Sequence, residues 1–140
     1  MANDWQVHGH WVANALNSAM ANLSIMFSNV ATAEDADIDF ENDITGEVTG
    51  TNLPAGGVAI TGETCTYSTG TNTITCDVAD VSVSTVTASG IRTLYLVDKS
   101  GGTSATNRIV ASCLLDSALS PSAGTLAITM DALGVFTVAV

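Results

Sequence analysis

Basic residues are scarce in this sequence. Arg92, Lys99 and Arg108 are its three basic residues, against 14 acidic ones, and the formal net charge is −11. Proteins that bind nucleic acid use lysine and arginine to displace counterions from phosphates, and anionic membrane surfaces attract the same residues. The composition therefore argues against binding to DNA or RNA and against a membrane partner. The acidic excess is typical of a protein that faces solvent or a basic partner.

Long hydrophobic runs are also missing. No stretch approaches the roughly 20 apolar residues of a membrane-spanning helix. The beginning, Met1 to Trp5, contains an acid and lacks the basic region with which a signal peptide starts. We therefore expect synthesis in the cytosol without processing.

Groups that carry catalysis or hold metals are few. The two histidines, His8 and His10, lie two residues apart, more than fifty residues before the nearest cysteine. A zinc site needs about four ligands, so an arm without metal is the favoured interpretation of this pair. No Gly-x-Ser-x-Gly elbow occurs, and the glycine runs at 56–57 and 100–103 precede neither a helix nor a lysine. We expect no enzymatic activity and no cofactor.

The cysteines number three, so a complete disulfide framework is not indicated. If a turn is centred on Gly70 and Thr71, antiparallel pairing places Cys65 opposite Cys76, because paired residue numbers then sum to 141. A disulfide is possible there, and two buried thiols that pack as small apolar groups are the other interpretation. A reducing cytosol favours the thiols, whereas release from the cell favours the bond. Cys113 is predicted to lie in the core.

Hydrophobic residues make up 46 % of the sequence and charged residues 12 %, which excludes a disordered, highly charged chain. So low a charged fraction, with many threonine, serine, alanine and glycine residues, suggests that much of the surface contacts neighbouring molecules. At 140 residues the chain fits one domain with a sizeable core.

Apolar residues recur at helical spacing near the N-terminus and predict a helix over residues 10–21, preceded by an arm. These residues are Trp5, Val12, Leu16, Ala19 and Leu23. The apolar face would pack on the protein's own sheet, or Trp5 and Trp11 would anchor in a neighbouring subunit. Residues 1–22 are therefore predicted to form an arm and short helix, and residues 23–140 a single further domain.

After Leu23 the apolar period changes to two, and turn residues separate the runs. The pattern predicts an antiparallel β-sandwich, immunoglobulin-like or jelly-roll-like, with about seven to eight strands. A bend is expected at Gly62, and a tight turn at residues 131–134 is expected to join the last two strands. The predicted strands cover residues 23–27, 57–67, 72–78, 91–98, 108–115, 126–130 and 135–140.

The densest acidic run covers residues 34–43, where acids alternate with mostly apolar residues. In an extended chain the acids would share one face, which indicates an edge strand or loop with a charged solvent face. A Ca²⁺ site that also uses Asp77 and Asp80 is an alternative, and so is a docking face for a basic partner. The alternating acids are Asp35, Asp37, Asp39, Glu41 and Asp43.

Several short motifs follow one another in a recognisable order. They are ITGEVTGT at 44–51, PAGGVAITG at 54–62, Thr66-Tyr67, Asn72-Thr73, DVADV at 77–81 and GTLAITMDALGVFTV at 124–138. Their order across residues 23–140 resembles a family of small β-sandwich virion structural proteins of tailed bacteriophages, and the last motif resembles that family's final hairpin. The chain departs from the family at residues 108–115, where an aromatic-rich strand is usual, and at Met130 and Val83, where tryptophan is usual.

The resemblance implies a capsid decoration, or cement, protein that binds the outer shell and bridges capsomers. Such a protein would be made in the host cytoplasm and located on the capsid surface, with the major capsid protein or another virion protein as its partner. A homo-oligomer is expected, and a trimer suits a threefold lattice position. The interface is predicted to include Trp5, Trp11, Val12 and Leu16.

The alternative is a tail, neck or head-fibre component of the virion. Aromatic residues make up 5 % of the sequence, which argues against a sugar-binding platform on a fibre. Copy number per particle would separate the two roles, because a decoration protein is present in many copies and a fibre in few.

Overall fold

The computed structural model describes residues 7–32 and 37–140. The described chain is mainly β, with antiparallel sheets and one α-helix, which confirms the predicted class of a sandwich-like β protein with a short helix. Helix α1 covers Gly9–Ala19. The strands are β1 (Leu23–Ser28), β2 (Val58–Ala59), β3 (Thr64–Ser68), β4 (Thr73–Asp77), β5 (Val81–Val86), β6 (Ile91–Asp98), β7 (Arg108–Leu119), β8 (Gly124–Ile128) and β9 (Phe136–Ala139).

Two compact units make up the chain. The helix unit contains the described residues up to Ala21 together with Thr61–Ala79 and Met130–Val140. The sheet unit contains Asn22–Ile60 and Asp80–Thr129. The predicted division into residues 1–22 and 23–140 does not coincide with these units, because the helix packs on β3 and β4 and so groups with them.

The helix unit consists of α1 and a three-stranded sheet of order β3-β4-β9. Helix α1 begins after His8 and ends where the Met20 N–H donates to the Leu16 carbonyl, 2.9 Å away. Gly9, Ala13 and Met20 are buried, so this face of the helix packs on the protein's own strands. The packing agrees with the first of the two interpretations of the apolar helix face.

Strands β3 and β4 form a hairpin with the register that the sequence predicts. Cys65 lies opposite Cys76, and all paired numbers in this hairpin sum to 141. Strand β9 pairs with the other edge of β4, where Phe136 lies opposite Cys76. The central position of β4 leaves Ile74 and Cys76 fully buried.

The sheet unit contains a four-stranded sheet of order β2-β1-β6-β7 and a two-stranded sheet of β5 and β8. All six residues of β1 are buried, since it is flanked by strands and covered on both faces. Met26 lies directly opposite Tyr95 and forms a core cluster with it and Val97. Partly buried Ile38, Ile44 and Ile109 pack against this cluster. Strand β7 lies at the sheet edge, and its pairing with β6 contains two register shifts.

Two strand predictions differ from the structure. The strand predicted over residues 57–67 is divided into β2 and β3, with Gly62 at φ 75° between them, so the expected bend interrupts the pairing. Strand β5, which the sequence analysis did not assign, pairs antiparallel with β8. Together these two differences account for the nine strands of the described chain.

The predicted final hairpin is wrong, although its turn is present. The Gly134 N–H donates to the Asp131 carbonyl at 2.9 Å, and Gly134 has a φ of 92°. The strands on either side do not pair with each other, because β8 pairs with β5 and β9 pairs with β4. The turn thus lies at the start of the last segment of the helix unit, Met130–Val140.

Candidate interaction surfaces

The outer face of α1 carries the most exposed aromatic residue of the described chain. Trp11 is 71 % exposed, whereas Val12 and Leu16 are partly buried beside the inward face. Trp5 lies outside the described residues. Of the predicted interface set, Trp11 is therefore the residue that the structure presents most fully to a partner.

The start of α1 borders an open cavity within the helix unit. The His10 ring contacts the Tyr67 ring edge-on, with centroids 5.0 Å apart, and the Tyr67 hydroxyl donates to Asn72 Oδ1 at 3.0 Å. The cavity has a volume of about 460 Å³. Within residues 7–32 and 37–140, no three histidine, cysteine, aspartate or glutamate side chains cluster as a metal site would require. Lining residues are Val7, His8, Gly9, His10, Tyr67, Asn72 and Val140.

The acidic run follows its predicted pattern only in part. Residues 33–36, and with them Asp35, lie outside the described chain. Asp37 and Asp39 are exposed while Ile38 packs inward, as an alternating edge segment requires. The alternation ends at Phe40, which forms a β-bridge with Arg108, and Glu41–Asp43 then forms a 3₁₀ turn.

Glu41 is the exception to the predicted charged face. It turns inward, where Lys99 Nζ and Asn107 Nδ2 each lie 2.6 Å from its carboxylate. Burial raises the pKa of the Glu41 carboxyl, but hydrogen bonds from Asn107 and Lys99 and the charge of Lys99 outweigh this, so the pKa lies below its usual value. The Asp43 carboxylate instead accepts the Phe40 N–H at 2.9 Å and closes the turn. These two carboxylates therefore have structural partners.

The calcium interpretation also depended on Asp77 and Asp80. The Asp77 carboxylate accepts the N–H of Val78 at 2.9 Å, which is a local turn contact. Asp77 belongs to the helix unit and Asp80 to the sheet unit. Neither residue belongs to a group of three or more potential metal ligands within the part of the chain that the structure describes.

Strand β7 is an exposed edge, and this corrects one prediction. Cys113, which the apolar sequence around it placed in the core, is a free and exposed cysteine. Leu114 and Leu119 are 42 % and 43 % exposed. The strand also continues to Leu119, four residues beyond its predicted end. Strand β7 is the last strand of its sheet, next to β6.

The two other cysteines are joined. Cys65 and Cys76 form a disulfide across the β3–β4 hairpin, and both residues are buried. The Cys65 sulfur also contacts Met20 Sδ at 3.3 Å, so the end of helix α1 packs on the bridge. Of the two interpretations left open by the sequence, the structure contains the disulfide.

Comparisons of the chain with protein-family models, with curated proteins and with solved structures found no match. In the described chain, no helix has the length and apolarity needed to cross a membrane.

Proposed function

We propose that the protein is a structural component of a bacteriophage virion, namely a capsid decoration protein that binds the outer shell and stabilises contacts between capsomers. The proposal starts from the order of motifs across residues 23–140, and one structural observation carries it further. The Trp11 indole is 71 % exposed on a helix whose opposite face is fixed to the sheet. Rigidly held, exposed tryptophan is the kind of side chain that dominates the energy of protein interfaces.

The charge distribution supports the same role. With a net charge of −11 and Lys99 already paired with Glu41, the surface potential of the protein is strongly negative. Such a coat would keep particles apart in solution. Stabilisation would follow from mass action, because a protein that binds only the assembled shell lowers the free energy of that state. The partner is the major capsid protein, and a trimer on a threefold position remains the proposed oligomer.

The experiment adds purified protein to undecorated shells and measures binding by co-sedimentation and shell melting by calorimetry. Wild type should bind in many copies per shell and raise the melting temperature. Trp11→Ala should bind more weakly and lose most of this gain. Leu133→Ala is the matched control, because Leu133 is 79 % exposed in the Asp131–Gly134 turn and its removal should leave binding unchanged.

Two results would count against the proposal. Absence of binding, or binding without a gain in melting temperature, would contradict a decoration role. A count of only a few copies on intact particles would favour the tail, neck or fibre role instead.

A further inference from the structure

Three polar side chains of the sheet unit meet at one carboxyl group. Lys99 Nζ lies 2.6 Å from Glu41 Oε1, and Asn107 Nδ2 donates to Glu41 Oε2, also at 2.6 Å. An amine and a side-chain amide are therefore neighbours on the two oxygens of the same carboxylate. An amine that attacks an amide carbon forms a new amide bond, and a carboxyl group between the two can move the protons that this reaction requires.

We propose that Lys99 and Asn107 form a covalent isopeptide bond in the folded protein, with Glu41 as the general base. The bond between Lys99 Nζ and Asn107 Cγ forms, the bond between Asn107 Cγ and Nδ2 breaks, and one ammonia leaves. All reacting groups belong to the chain itself, and no oxidant or reductant takes part. This modification goes beyond the virion role and does not depend on it.

The backbone brings the two reacting residues together. Asp98 at the end of β6 lies opposite Arg108 at the start of β7. Lys99 and Asn107 are the next residues beyond this pair, so their side chains begin close to each other. The Asn107 N–H donates to the Thr103 carbonyl at 2.8 Å, which fixes the turn between them. Reaction requires Lys99 Nζ to approach Asn107 Cγ to roughly 3–3.5 Å, and the flexible stem of lysine permits this approach.

The three side chains are largely removed from water. Asn107 is 6 % exposed, and the side chains of Lys99 and Glu41 are 19 % and 13 % exposed. Lys99 Nζ lies 3.7 Å from Met26 Sδ, which belongs to the apolar core cluster. A Cβ atom on Gly56 would lie 3.6 Å from the same Nζ, so this glycine also borders the site. Burial disfavours charged forms and so reduces the cost of converting the ion pair into a neutral amine and a neutral carboxyl group.

One buried atom of the site lacks a partner in a way that suits the reaction. Asn107 Oδ1 is buried and accepts no hydrogen bond from the described residues. A protonated carboxyl group has an O–H donor, which a carboxylate lacks. Once Glu41 holds a proton from Lys99, a rotation of the Asn107 amide allows this O–H to donate to Oδ1. The donor then stabilises the negative charge that develops on Oδ1 as the amine attacks.

The protons balance through Glu41. The first proton passes from Lys99 Nζ to the Glu41 carboxylate and exposes the lone pair of the amine. After the attack, Glu41 gives this proton to Asn107 Nδ2 and then transfers a second one from Nζ in the same way. The nitrogen of Asn107 leaves as ammonium, Glu41 is again a carboxylate, and the new amide keeps one hydrogen on Nζ.

The ion pair is the state before the reaction, and freshly purified protein retains it. Because the pKa of Glu41 lies below its usual value, the carboxylate is the main form of this group. The neutral amine is therefore a minor form, and the reaction is slow compared with folding. The product should accumulate as the folded protein is stored or warmed below its melting temperature.

Mass spectrometry of the full chain over time tests the proposal. Wild type in native buffer should progressively lose the mass of one ammonia, whereas wild type unfolded in urea should not. Trypsin should cut the starting protein after Lys99 and release residues 93–99 and 100–108 separately. In the product Lys99 is an amide, so these two peptides should remain one linked piece that covers residues 93–108.

Three variants assign the roles. Glu41→Gln should slow the reaction by about a hundredfold or more, because the base is lost. Glu47→Gln is the matched control and should react like wild type, since the exposed Glu47 carboxylate accepts the Gly56 N–H at 2.6 Å and its glutamine replacement can accept the same bond. Lys99→Arg keeps the cation beside Glu41 but removes the nucleophile, so it should lose no ammonia.

Four results would overturn the proposal. One is a wild type that keeps its full mass during prolonged incubation. Another is an ammonia loss that persists in Lys99→Arg, because it would come from Asn107 reacting with its own backbone. The third is cleavage after Lys99 in protein that has already lost ammonia. An equal rate of loss in native buffer and in urea would also contradict it, since the reaction requires the folded arrangement.

Discussion

The side-chain amide of Asn17 bonds both backbone groups of Cys65. Asn17 Oδ1 accepts the Cys65 N–H at 2.6 Å, and Asn17 Nδ2 donates to the Cys65 carbonyl at 2.8 Å. Strand β3 is an edge of its sheet, so the amide takes the place that a neighbouring strand would have. A helix side chain thereby satisfies backbone groups of a buried residue that would otherwise lack partners.

Replacement of Asn17 by alanine should destabilise the protein by about 1–3 kcal/mol, because it leaves the buried N–H and carbonyl of Cys65 unpaired. Asn17→Asp should also destabilise, since a carboxylate cannot donate to the Cys65 carbonyl. Chemical denaturation measures both effects. Ser18→Ala is the control on the exposed side of the same helix and should change the free energy of unfolding by less than about 0.5 kcal/mol. Equal effects of the Asn17 and Ser18 substitutions would contradict the bridging role.

Reduction of the Cys65–Cys76 disulfide should lower the free energy of unfolding by about 3 kcal/mol. The bond closes a loop and so restricts the conformations of the unfolded chain, and reduction removes this restriction. Thermal melting of wild type with and without reductant measures the loss. The double variant Cys65→Ala/Cys76→Ala should melt at one temperature under both conditions. Cys113→Ser should retain the full response to reductant, since Cys113 is outside the bond. Identical melting of wild type in both conditions would show that the bond contributes nothing to stability.

The paired Glu41 should make stability depend on pH. Its pKa in the folded protein lies below the ordinary value of 4.5, so its stabilising contribution is complete above that pH and is lost as the pH falls through the folded value. Glu41→Gln should therefore be less stable than wild type by about 1–3 kcal/mol at neutral pH, and the difference should shrink in acid.

Urea denaturation between neutral pH and about pH 3 measures this difference between Glu41→Gln and wild type. Asp37→Asn, which removes an exposed carboxylate, is the control and should follow the wild-type curve closely. If Glu41→Gln is less stable than wild type by the same amount at every pH, Glu41 is not the group that makes the stability depend on pH.

At Gly9, steric overlap and helix propensity predict opposite effects of an alanine substitution on stability. Alanine in a helix is normally more favourable than glycine by roughly 0.5–1 kcal/mol. At Gly9, however, a Cβ atom would overlap the Tyr67 ring, so Gly9→Ala should cost about 1–3 kcal/mol. Gly70→Ala has open space around it and should be nearly neutral.

Tyr67→Leu should remove part of the Gly9→Ala penalty in the double variant. Strictly additive effects of the two substitutions in denaturation experiments would mean that the ring is not the obstacle.

The strands of this fold were largely predictable because their signals are local. Period-two alternation marked β6 with its correct bounds, and the turn near Gly70 determined the pairing of Cys65 with Cys76. Pairing between distant strands was not predictable in the same way. Nothing adjacent to β8 indicates that its partner is β5, because that choice depends on which faces can be buried together.

The interaction surfaces were harder to predict than the strands. The apolar run around Cys113 resembles a buried strand, and only the structure shows that Cys113 and Leu114 are exposed on a strand at the end of its sheet. Glu41 fits the alternating acidic face by sequence, yet the 3₁₀ turn reverses its direction and Lys99, 58 positions later, compensates its charge. Both errors concern contacts between residues that are far apart in the sequence. A local sequence pattern carries no information about such contacts.

The connection of β9 to β4 has a consequence for the order in which the protein is synthesised. Residues 130–140 of the helix unit emerge from the ribosome after every residue of the sheet unit. Until then, the edge of β4 at which Ile74 and Cys76 pair with β9 in the folded protein has no partner strand. The cysteine pair can already close within the hairpin at that stage. The sheet unit is therefore complete first, and the helix unit is the later of the two to mature.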